Sequence, residues 1–278
     1  MPLGGFLLPK NAQKLWEYLD MEIGLILTAI LSGAFIGAVL GFIGAGGAMV
    51  SVPILLYLFD FSPAAATTAA LAVVFLAALS GLRPKFKSED VLVKEAVTIW
   101  LLGLITNVGL SLLVERIPDS VILIGFSIVL LGAAYSMLVK PIEESPERRI
   151  SAWSLVVLSL LIGALTGLFG IGGGFLAIPV LVLFFNTPQN KAAGTSLLII
   201  ALNCLTALTA KFTIWSEIDW GYPLLISIAA VIVASFASKK AAKTPTVHLK
   251  RGFAFLLVGL AGFTISVSYT HLTLPTKA

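Results

Sequence analysis

The chain contains one glycine-rich apolar segment twice, once in each half. The first copy begins at Gly41 and reads GFIGAGGAMVSVPILLYLF, and the second begins at Gly167 and reads GLFGIGGGFLAIPVLVLFF. The two starts are 126 positions apart, and this offset aligns the glycines, the proline and the final phenylalanine of both copies without a gap. The fold must therefore accommodate a duplicated unit that carries one interrupted apolar segment in each half.

The composition places this duplicated unit in a membrane. Hydrophobic residues make up 58% of the chain and charged residues only 12%, and the mean hydropathy is +1.03. Soluble domains contain roughly 45–50% apolar and about 25% charged residues. We therefore expect a polytopic protein surrounded by the lipid bilayer, with no separate soluble domain. The net charge of +4 indicates loop residues that orient the chain, and no basic run interleaved with aromatic residues predicts a nucleic-acid partner.

The apolar stretches predict an all-α, polytopic transmembrane helical bundle built from two repeats. Eight stretches can cross about 30 Å of hydrocarbon as helices: Ile23–Ile43, Ala64–Leu82, Val93–Val114, Val121–Val139, Ala152–Phe169, Ala192–Ala210, Tyr222–Ala237 and Gly252–Ser266. Two further segments, Ala48–Phe59 and Phe175–Phe185, are short and follow the glycine clusters. The predicted units are an N-terminal segment (1–22), a first repeat (23–140), an inter-repeat loop (141–151), a second repeat (152–266) and a tail (267–278).

The loop charges predict that the two repeats are inverted in the membrane. The loop after the span that follows the first copy carries Arg83, Lys85, Lys87 and Lys94. The equivalent loop of the second half, with Lys211, Glu217 and Asp219, is nearly balanced, and the basic residues Lys239, Lys240, Lys243, Lys250 and Arg251 lie in the following loop. Positively charged loops stay on the cytoplasmic side. Equivalent helices would then face opposite ways, which requires five crossings per half and ten in total.

The glycine clusters are candidate anion-binding sites. Glycine allows positive φ and close approach, and a helix that restarts after such a break presents backbone N–H groups without intrahelical partners. The candidate binding residues are Gly44, Gly46 and Gly47 in the first copy and Gly170, Gly172, Gly173 and Gly174 in the second. Pro53 and Pro179 are expected to bend or end the short helices. The alternative is that these glycines serve only close helix packing.

Polar side chains after each copy extend this candidate substrate site. The second copy is followed by Thr195, Ser196 and Asn203, and the first half supplies Thr67 and Thr68. Ser196 and Asn203 are seven residues apart and therefore share a helical face. The positions aligned with the second-half residues are alanines, Ala69, Ala70 and Ala77, so we expect an asymmetric site. The alternative for each residue is a hydrogen bond to a preceding turn or a neighbouring helix.

Several chemistries have no residues to support them in the sequence. The centres of the predicted spans contain no Asp, Glu, His or Arg, which predicts no proton relay of the kind that pumps keep at membrane depth. We also find no nucleophile with an adjacent base, no metal-ligand spacing and no phosphate loop, so we expect neither an enzyme nor a cofactor. The single cysteine, Cys204, excludes an intrachain disulfide. A homo-oligomer remains open.

The paired segments GFIGAGGAMVSVP and GLFGIGGGFLAIP, with the following AAGTSLLIIALN, resemble the TauE/SafE family of sulfite-exporter-like membrane permeases. The resemblance implies transport, as an exporter or importer, of small sulfur-containing anions such as sulfite or sulfonates, or of related organic acids, across a prokaryotic cytoplasmic membrane. The first copy departs from it at Ala45 and Ala48, and Ala66–Leu71 lacks the GTSL wording. A non-transporting membrane scaffold, with glycines for helix packing, is the alternative function.

The end of the chain differs in character from the rest. Val267–Thr276 reads VSYTHLTLPT, which looks like a translated sequencing adapter. We therefore treat residues 267–278 as a non-native tail and expect the last native helix to stop near Ser266.

Overall fold

The computed structural model describes residues 10–114, 119–139, 151–169, 174–185 and 187–273, and in these residues it contains helices and no β-strand. The all-α prediction is confirmed. The helices are α1 (Lys10–Ile43), α2 (Gly47–Leu58), α3 (Pro63–Lys87), α4 (Val93–Val114), α5 (Asp119–Val139), α6 (Ala152–Phe169), α7 (Gly174–Phe185), α8 (Gln189–Ala210), α9 (Gly221–Ala241) and α10 (Thr246–Thr273), with a short 3-10 helix at Phe212–Glu217.

Five of these helices are long and apolar enough to cross a membrane over their described residues: Glu22–Ile43, Pro63–Lys87, Val93–Leu110, Gln189–Ala210 and Gly221–Ala241. The helices α4 and α6 begin and end at the residues predicted from their apolar runs. The helix α10 continues past Ser266, where the last span was expected to stop, to Thr273. The protein is therefore a multi-pass membrane protein.

The duplication is visible in the backbone hydrogen bonds at the same 126-residue offset. Each connection between a short helix and the following long helix contains one bond back into the short helix and one bond that starts the long helix. In the first half these bonds are Phe61 N–H to Leu55 O (3.1 Å) and Ala66 N–H to Ser62 O (2.8 Å), and in the second half they are Thr187 N–H to Leu181 O (3.1 Å) and Ala192 N–H to Pro188 O (2.9 Å). Equivalent residues therefore adopt equivalent turns.

The equivalent helices α3 and α8 pack against each other and run antiparallel. Near the end of α3, the Lys85 ammonium donates a hydrogen bond to Asn190 Oδ1, at the start of α8, over 3.2 Å. At the other end, the Lys211 ammonium, just after α8, donates to Thr67 Oγ1, near the start of α3, also over 3.2 Å. Such an antiparallel course is what inverted repeats require. The orientation of each half relative to the membrane remains a prediction.

The helices α1 and α9 run parallel, and glycines bring them together. A Cβ atom on Gly33, Gly37 or Gly41 would overlap the backbone of α9 at Ile226, Ala230 or Ala234, respectively. These glycines are four residues apart and so form one stripe on α1. Small residues at such spacing let membrane helices approach closely. The packing role proposed as the alternative for the glycines therefore applies to Gly41.

The prolines of the repeated segments do not end their helices, contrary to one of the two roles expected for them. Pro53 lies inside α2 and Pro179 lies inside α7, and both helices continue beyond the proline. Inside a helix, proline removes one backbone hydrogen bond and its ring crowds the carbonyl of residue i−4, which bends a helix without necessarily ending it. In the first copy the interruption comes before α2, between Ile43 and Gly47.

A larger residue in the glycine stripe of α1 should lower the stability of the protein. Gly37→Val places a branched side chain against the α9 backbone, and overpacking of this kind costs about 1–3 kcal/mol. Thermal unfolding in detergent should show a melting temperature lowered by several degrees. Gly24→Val is the matched control, because Gly24 lies on the same helix with nothing within 4 Å of its added Cβ. Equal melting temperatures for the two variants would contradict the packing described.

The inverted arrangement predicts which loops share a face of the membrane. In a Cys204→Ala background, single cysteines at the exposed positions Lys87 and Lys243 should react with a membrane-impermeant maleimide from one side. A cysteine at exposed Glu217 should react from the other side. Labelling of Lys87→Cys and Lys243→Cys from opposite sides would reject inversion.

Candidate functional site

The interruption between α1 and α2 depends on two glycines with a left-handed backbone. Gly44 has φ +81° and Gly46 has φ +87°. Residues other than glycine pay about 1–2 kcal/mol for the left-handed conformation, so these two positions favour glycine for their conformation alone. The first backbone bond from α2 back to the break is Val50 N–H to Gly46 O at 3.3 Å, and the earlier N–H groups of the first turn have no acceptor within the helix.

The break is buried and is packed from two sides. A Cβ added to Gly44 would lie 2.6 Å from Ala193 Cβ of α8, and a Cβ added to Gly46 would lie 3.1 Å from Leu256 Cδ2 of α10. Gly47 is similarly close to the side chain of Leu40. The first-copy glycines therefore combine the break expected from the sequence with close packing.

The second-copy break lies largely outside the described residues. Gly170, Gly172 and Gly173 are among these undescribed positions, and Gly174 is the first residue of α7. Their part in a binding site remains a prediction.

Thr195 holds a connection in place. Its Oγ1 accepts a hydrogen bond from the Leu92 backbone N–H at 3.0 Å, and its hydroxyl donates to Lys191 O at 2.7 Å. The preceding Gly194 lies against the Asp90 carbonyl oxygen, which a Cβ would overlap. The Gly-Thr pair at the start of α8 therefore fixes the connection between α3 and α4.

The other predicted threonines lie at the opposite end of the α3–α8 pair. Thr67 accepts the bond from Lys211 and donates to Pro63 O at 2.9 Å, and Thr68 donates to Ala64 O at 2.8 Å. Eighteen residues separate Thr67 from Lys85, which corresponds to about 27 Å of helix. The structure therefore does not bring Thr67 and Thr68 together with Thr195. Ser196 is fully buried in α8.

Asn203 lies beside a small cavity in the middle of the bundle. The cavity is lined by Ile99, Trp100, Gly103, Asn107, Ile162, Gly163, Ile199 and Asn203, from α4, α6 and α8, and it has a volume of about 10 Å³ for the centres of water molecules. That volume suffices for about one water. Asn203 is ten residues past Ala193, hence about 15 Å further along α8 than the first break.

Two polar residues near these features were not among the predicted site residues. Asn107 lines the same cavity as Asn203. The sequence feature that points to it is a polar amide inside the apolar run of α4. Lys85 was assigned to a solvated loop, but its side chain is only 1% exposed, and its ammonium lies 4.0 Å from Asp90 Oδ2. The sequence feature that points to Lys85 is the 126-residue offset of the repeat, which aligns it with Lys211.

The polar groups around the start of α8 are unequally satisfied. Gln189, the first residue of α8, is 1% exposed, and within the described part of the chain neither its Oε1 nor its Nε2 has a hydrogen-bond partner. An unsatisfied buried polar group costs about 1–3 kcal/mol.

At the other end of α8, partial burial lowers the pKa of Lys211, because burial penalises the charged ammonium.

The geometry does not suggest metal or thiol chemistry. No cluster of three or more His, Cys, Asp or Glu side chains that could hold a metal ion occurs in the described ranges. Cys204 is free and fully buried among the apolar side chains between α3 and α8. What the bundle offers is uncharged donors, buried lysines and backbone N–H groups, which suit binding of an anion rather than a covalent reaction.

Helices long enough to span a membrane, a buried helix break and a small cavity lined by two amides are features of polytopic membrane transporters. A sequence profile of the family described as "Sulfite exporter TauE/SafE" matches residues 29–264. The chain therefore belongs to the TauE/SafE sulfite exporter family, whose members are transporters and not enzymes.

Several relatives are similar to this chain over most of their own length. A "Probable membrane transporter protein" of Methanocaldococcus jannaschii is 29% identical over 78% of this chain and 82% of its own. One from Xylella fastidiosa strain 9a5c is 25% identical over 91% of this chain and 99% of its own. The "Probable membrane transporter protein YunE" of Bacillus subtilis is 26% identical over 83% and 94%, respectively. No solved structure matches the chain.

The anchoring bond of Thr195 gives a stability prediction. Thr195→Val leaves the Leu92 N–H without its acceptor, and the free energy of unfolding should fall by about 1–3 kcal/mol. Thr195→Ser keeps the hydroxyl and should retain most of the stability. Thr209→Val is the control on the exposed end of α8, where the hydroxyl bonds only to its own helix. A denaturant titration in detergent measures all three, and a Thr195→Val protein as stable as wild type would contradict the anchoring role.

Proposed function

We propose that this protein is a secondary transporter that exports small sulfur-containing anions, such as sulfite, sulfonates or related organic acids, across the cell membrane of a prokaryote. The observation that carries the proposal is the pair of half-buried amide side chains, Asn107 and Asn203, that line one small cavity between α4, α6 and α8. Amide N–H groups donate hydrogen bonds without adding charge. The lining of this cavity includes no carboxylate that would repel an anion.

The family description supports the substrate class and the direction. It names a sulfite exporter, and the profile covers most of the chain. Sulfite and sulfonates present several acceptor oxygens, which match the amide and backbone donors of the bundle. The absence of acidic residues from the centres of the predicted spans is consistent with an anionic rather than a cationic substrate.

Transport through the cavity requires movement. A volume that holds about one water is too small for a sulfur oxyanion, so α4, α6 and α8 must separate for a substrate to bind. The antiparallel packing of α3 and α8 supports an inverted-repeat mechanism, in which one half moves against the other around a central site. In this account the glycine breaks, including Gly170–Gly174, supply backbone donors along the pathway, and Ser196 shares the helical face of Asn203.

The polar cavity predicts the effect of two substitutions on transport. Asn203→Asp places a carboxylate in an enclosed site and repels an anion, and Asn203→Leu removes the donor at similar volume. Both should lower the initial rate of sulfite flux into proteoliposomes at least tenfold, whether or not a proton gradient is imposed. Thr209→Val, an exposed change on the same helix, should leave the rate within twofold of wild type.

Two results would contradict the proposal. Unchanged sulfite flux in both Asn203 variants would remove the cavity from the pathway. Absence of sulfite and sulfonate flux in the reconstituted wild-type protein would reject the substrate class. That result would favour the alternative function of a non-transporting membrane scaffold.

A further inference from the structure

Lys85 and Lys211 occupy the same position in the two halves of the chain, 126 residues apart. Each lies at the C-terminal end of the long helix that follows a repeated glycine segment. Each ammonium donates to a side-chain oxygen near the start of the opposite helix, Asn190 or Thr67, and both distances are 3.2 Å. The same arrangement therefore occurs twice, once at each end of the antiparallel α3–α8 pair.

Both arrangements bring together groups of the same polarity. The start of a helix carries a partial positive charge. At the start of α8 no side chain caps the first-turn N–H groups, whereas at the start of α3 Pro63 has no N–H and the Ser62 hydroxyl accepts a hydrogen bond from the Ala65 N–H. A lysine placed there adds a full positive charge, and the neutral oxygens of Asn190 and Thr67 do not cancel it. Two sets of positive groups facing each other are favourable when an anion lies between them.

The nearest carboxylate compensates Lys85 only in part. Asp90 Oδ2 is 4.0 Å from the Lys85 ammonium, at the outer limit of an ion pair. The same oxygen accepts a shorter bond of 2.7 Å from the Ser88 hydroxyl. At the other end, no salt bridge to Lys211 is recorded in the part of the chain that the structure describes. Both ammonium groups therefore have capacity for a further anionic partner.

Gln189 lies at the Lys85 end of α8 and carries an unsatisfied amide. It precedes Asn190 in the first turn of α8, its side chain is 1% exposed, and neither polar atom of its amide has a partner among the described residues. Buried amides are normally satisfied. The first-turn N–H groups of α8 also have no side-chain cap, so unsatisfied donors of two kinds lie at this end of α8. The residue aligned with Gln189 in the first repeat is Pro63, so the Lys211 end has no such amide.

We propose that Lys85 and Lys211 are the anion-binding residues at the two ends of the transport pathway, where each lysine and the start of the opposite helix hold the sulfur oxyanion as it enters or leaves. This inference rests on the proposed function and adds the two terminal binding sites to its central cavity. The lysines are unequally enclosed: Lys85 is 1% exposed, whereas Lys211 is half-buried. In this structure the Lys85 end is therefore more enclosed than the Lys211 end.

The two terminal sites should be separable by the side from which the anion is added. Lys85→Met and Lys211→Met keep a long apolar side chain and remove the charge. In proteoliposomes with one protein orientation, each variant should raise the half-saturating sulfite concentration at least tenfold from the side of its own lysine, and less than threefold from the other side. Lys85→Arg and Lys211→Arg should restore most of the affinity, because the charge is retained.

Lys87→Met is the matched control, since Lys87 is in the last turn of α3, as Lys85 is, and is exposed. It should leave the half-saturating concentration unchanged on both sides. Unchanged values in both Lys85→Met and Lys211→Met would overturn the proposal. So would an equal loss from both sides with a lowered melting temperature, because that pattern belongs to a lysine that only supports the fold.

A binding measurement separates this inference from the transport proposal. Sulfite and thiosulfate, at constant ionic strength against chloride, should raise the melting temperature of the detergent-solubilised wild-type protein. The rise should fall by at least half in Lys85→Met and be retained in Lys87→Met. A lysine-dependent rise without any flux would reject the transport proposal alone. Normal flux with an equal rise in the wild type and in both Met variants would reject the lysine sites alone.

Discussion

The antiparallel contact between α3 and α8 is the interaction on which the other features of the bundle depend. Small residues on α3, including Ala69, Ala70 and Ala77, are almost fully buried in the core around this contact. Alanine lets membrane helices approach closely, where dispersion and interhelical hydrogen bonds hold them together. Because the helices run in opposite directions, the end of each lies beside the start of the other, and the polar ends of both are enclosed.

The first glycine break is positioned by the same helix pair. Gly44 rests on Ala193 in the first turn of α8, and two residues further along, Thr195 holds the connection that follows α3. A displacement of α8 relative to α3 would therefore alter the packing of the break, the loop after α3 and the contact of Lys85 at one time. In the proposed alternating access, this connection would couple the first glycine break to one end of the α3–α8 pair.

The repeated glycines serve both close helix packing and a helix break, while their part in anion binding stays a prediction. Gly41 continues the stripe of Gly33 and Gly37 and is required for close packing against α9. Gly44 and Gly46 take positive φ and are required for the change of chain direction. A single motif thus joins a packing surface to a helix break, and a substitution at one glycine need not have the consequence of a substitution at the next.

Much of the fold followed from the sequence, because apolar runs in a membrane chain have few alternatives to helix. Thr195 was harder: its hydroxyl was expected to face a substrate, but it binds Leu92, a partner 103 residues away that no local pattern specifies. The sequence does not identify Lys85 as a buried residue, because the predicted span ends at Leu82, before the charged residues. The helix continues past Leu82 to Lys87, and this extension carries the lysine onto α8.

Asn107 was missed for a different reason. The repeat does not point to Asn107, because the residue at the aligned position is the apolar Val233. A site residue that occurs in only one repeat cannot be found by comparing the two repeats. The cavity that joins Asn107 to Asn203 arises from the packing of three helices, and only the folded chain brings these amides together.

The central claim is that this bundle carries a sulfur oxyanion by alternating access around a site enclosed by its two halves. Counterflow measures this most directly: proteoliposomes loaded with unlabelled sulfite are diluted into a trace of radiolabelled sulfite. A carrier that exposes one site alternately will accumulate label transiently above its equilibrium level and then release it. Wild-type vesicles that only equilibrate the label, or that take up no more than protein-free vesicles, would contradict the account.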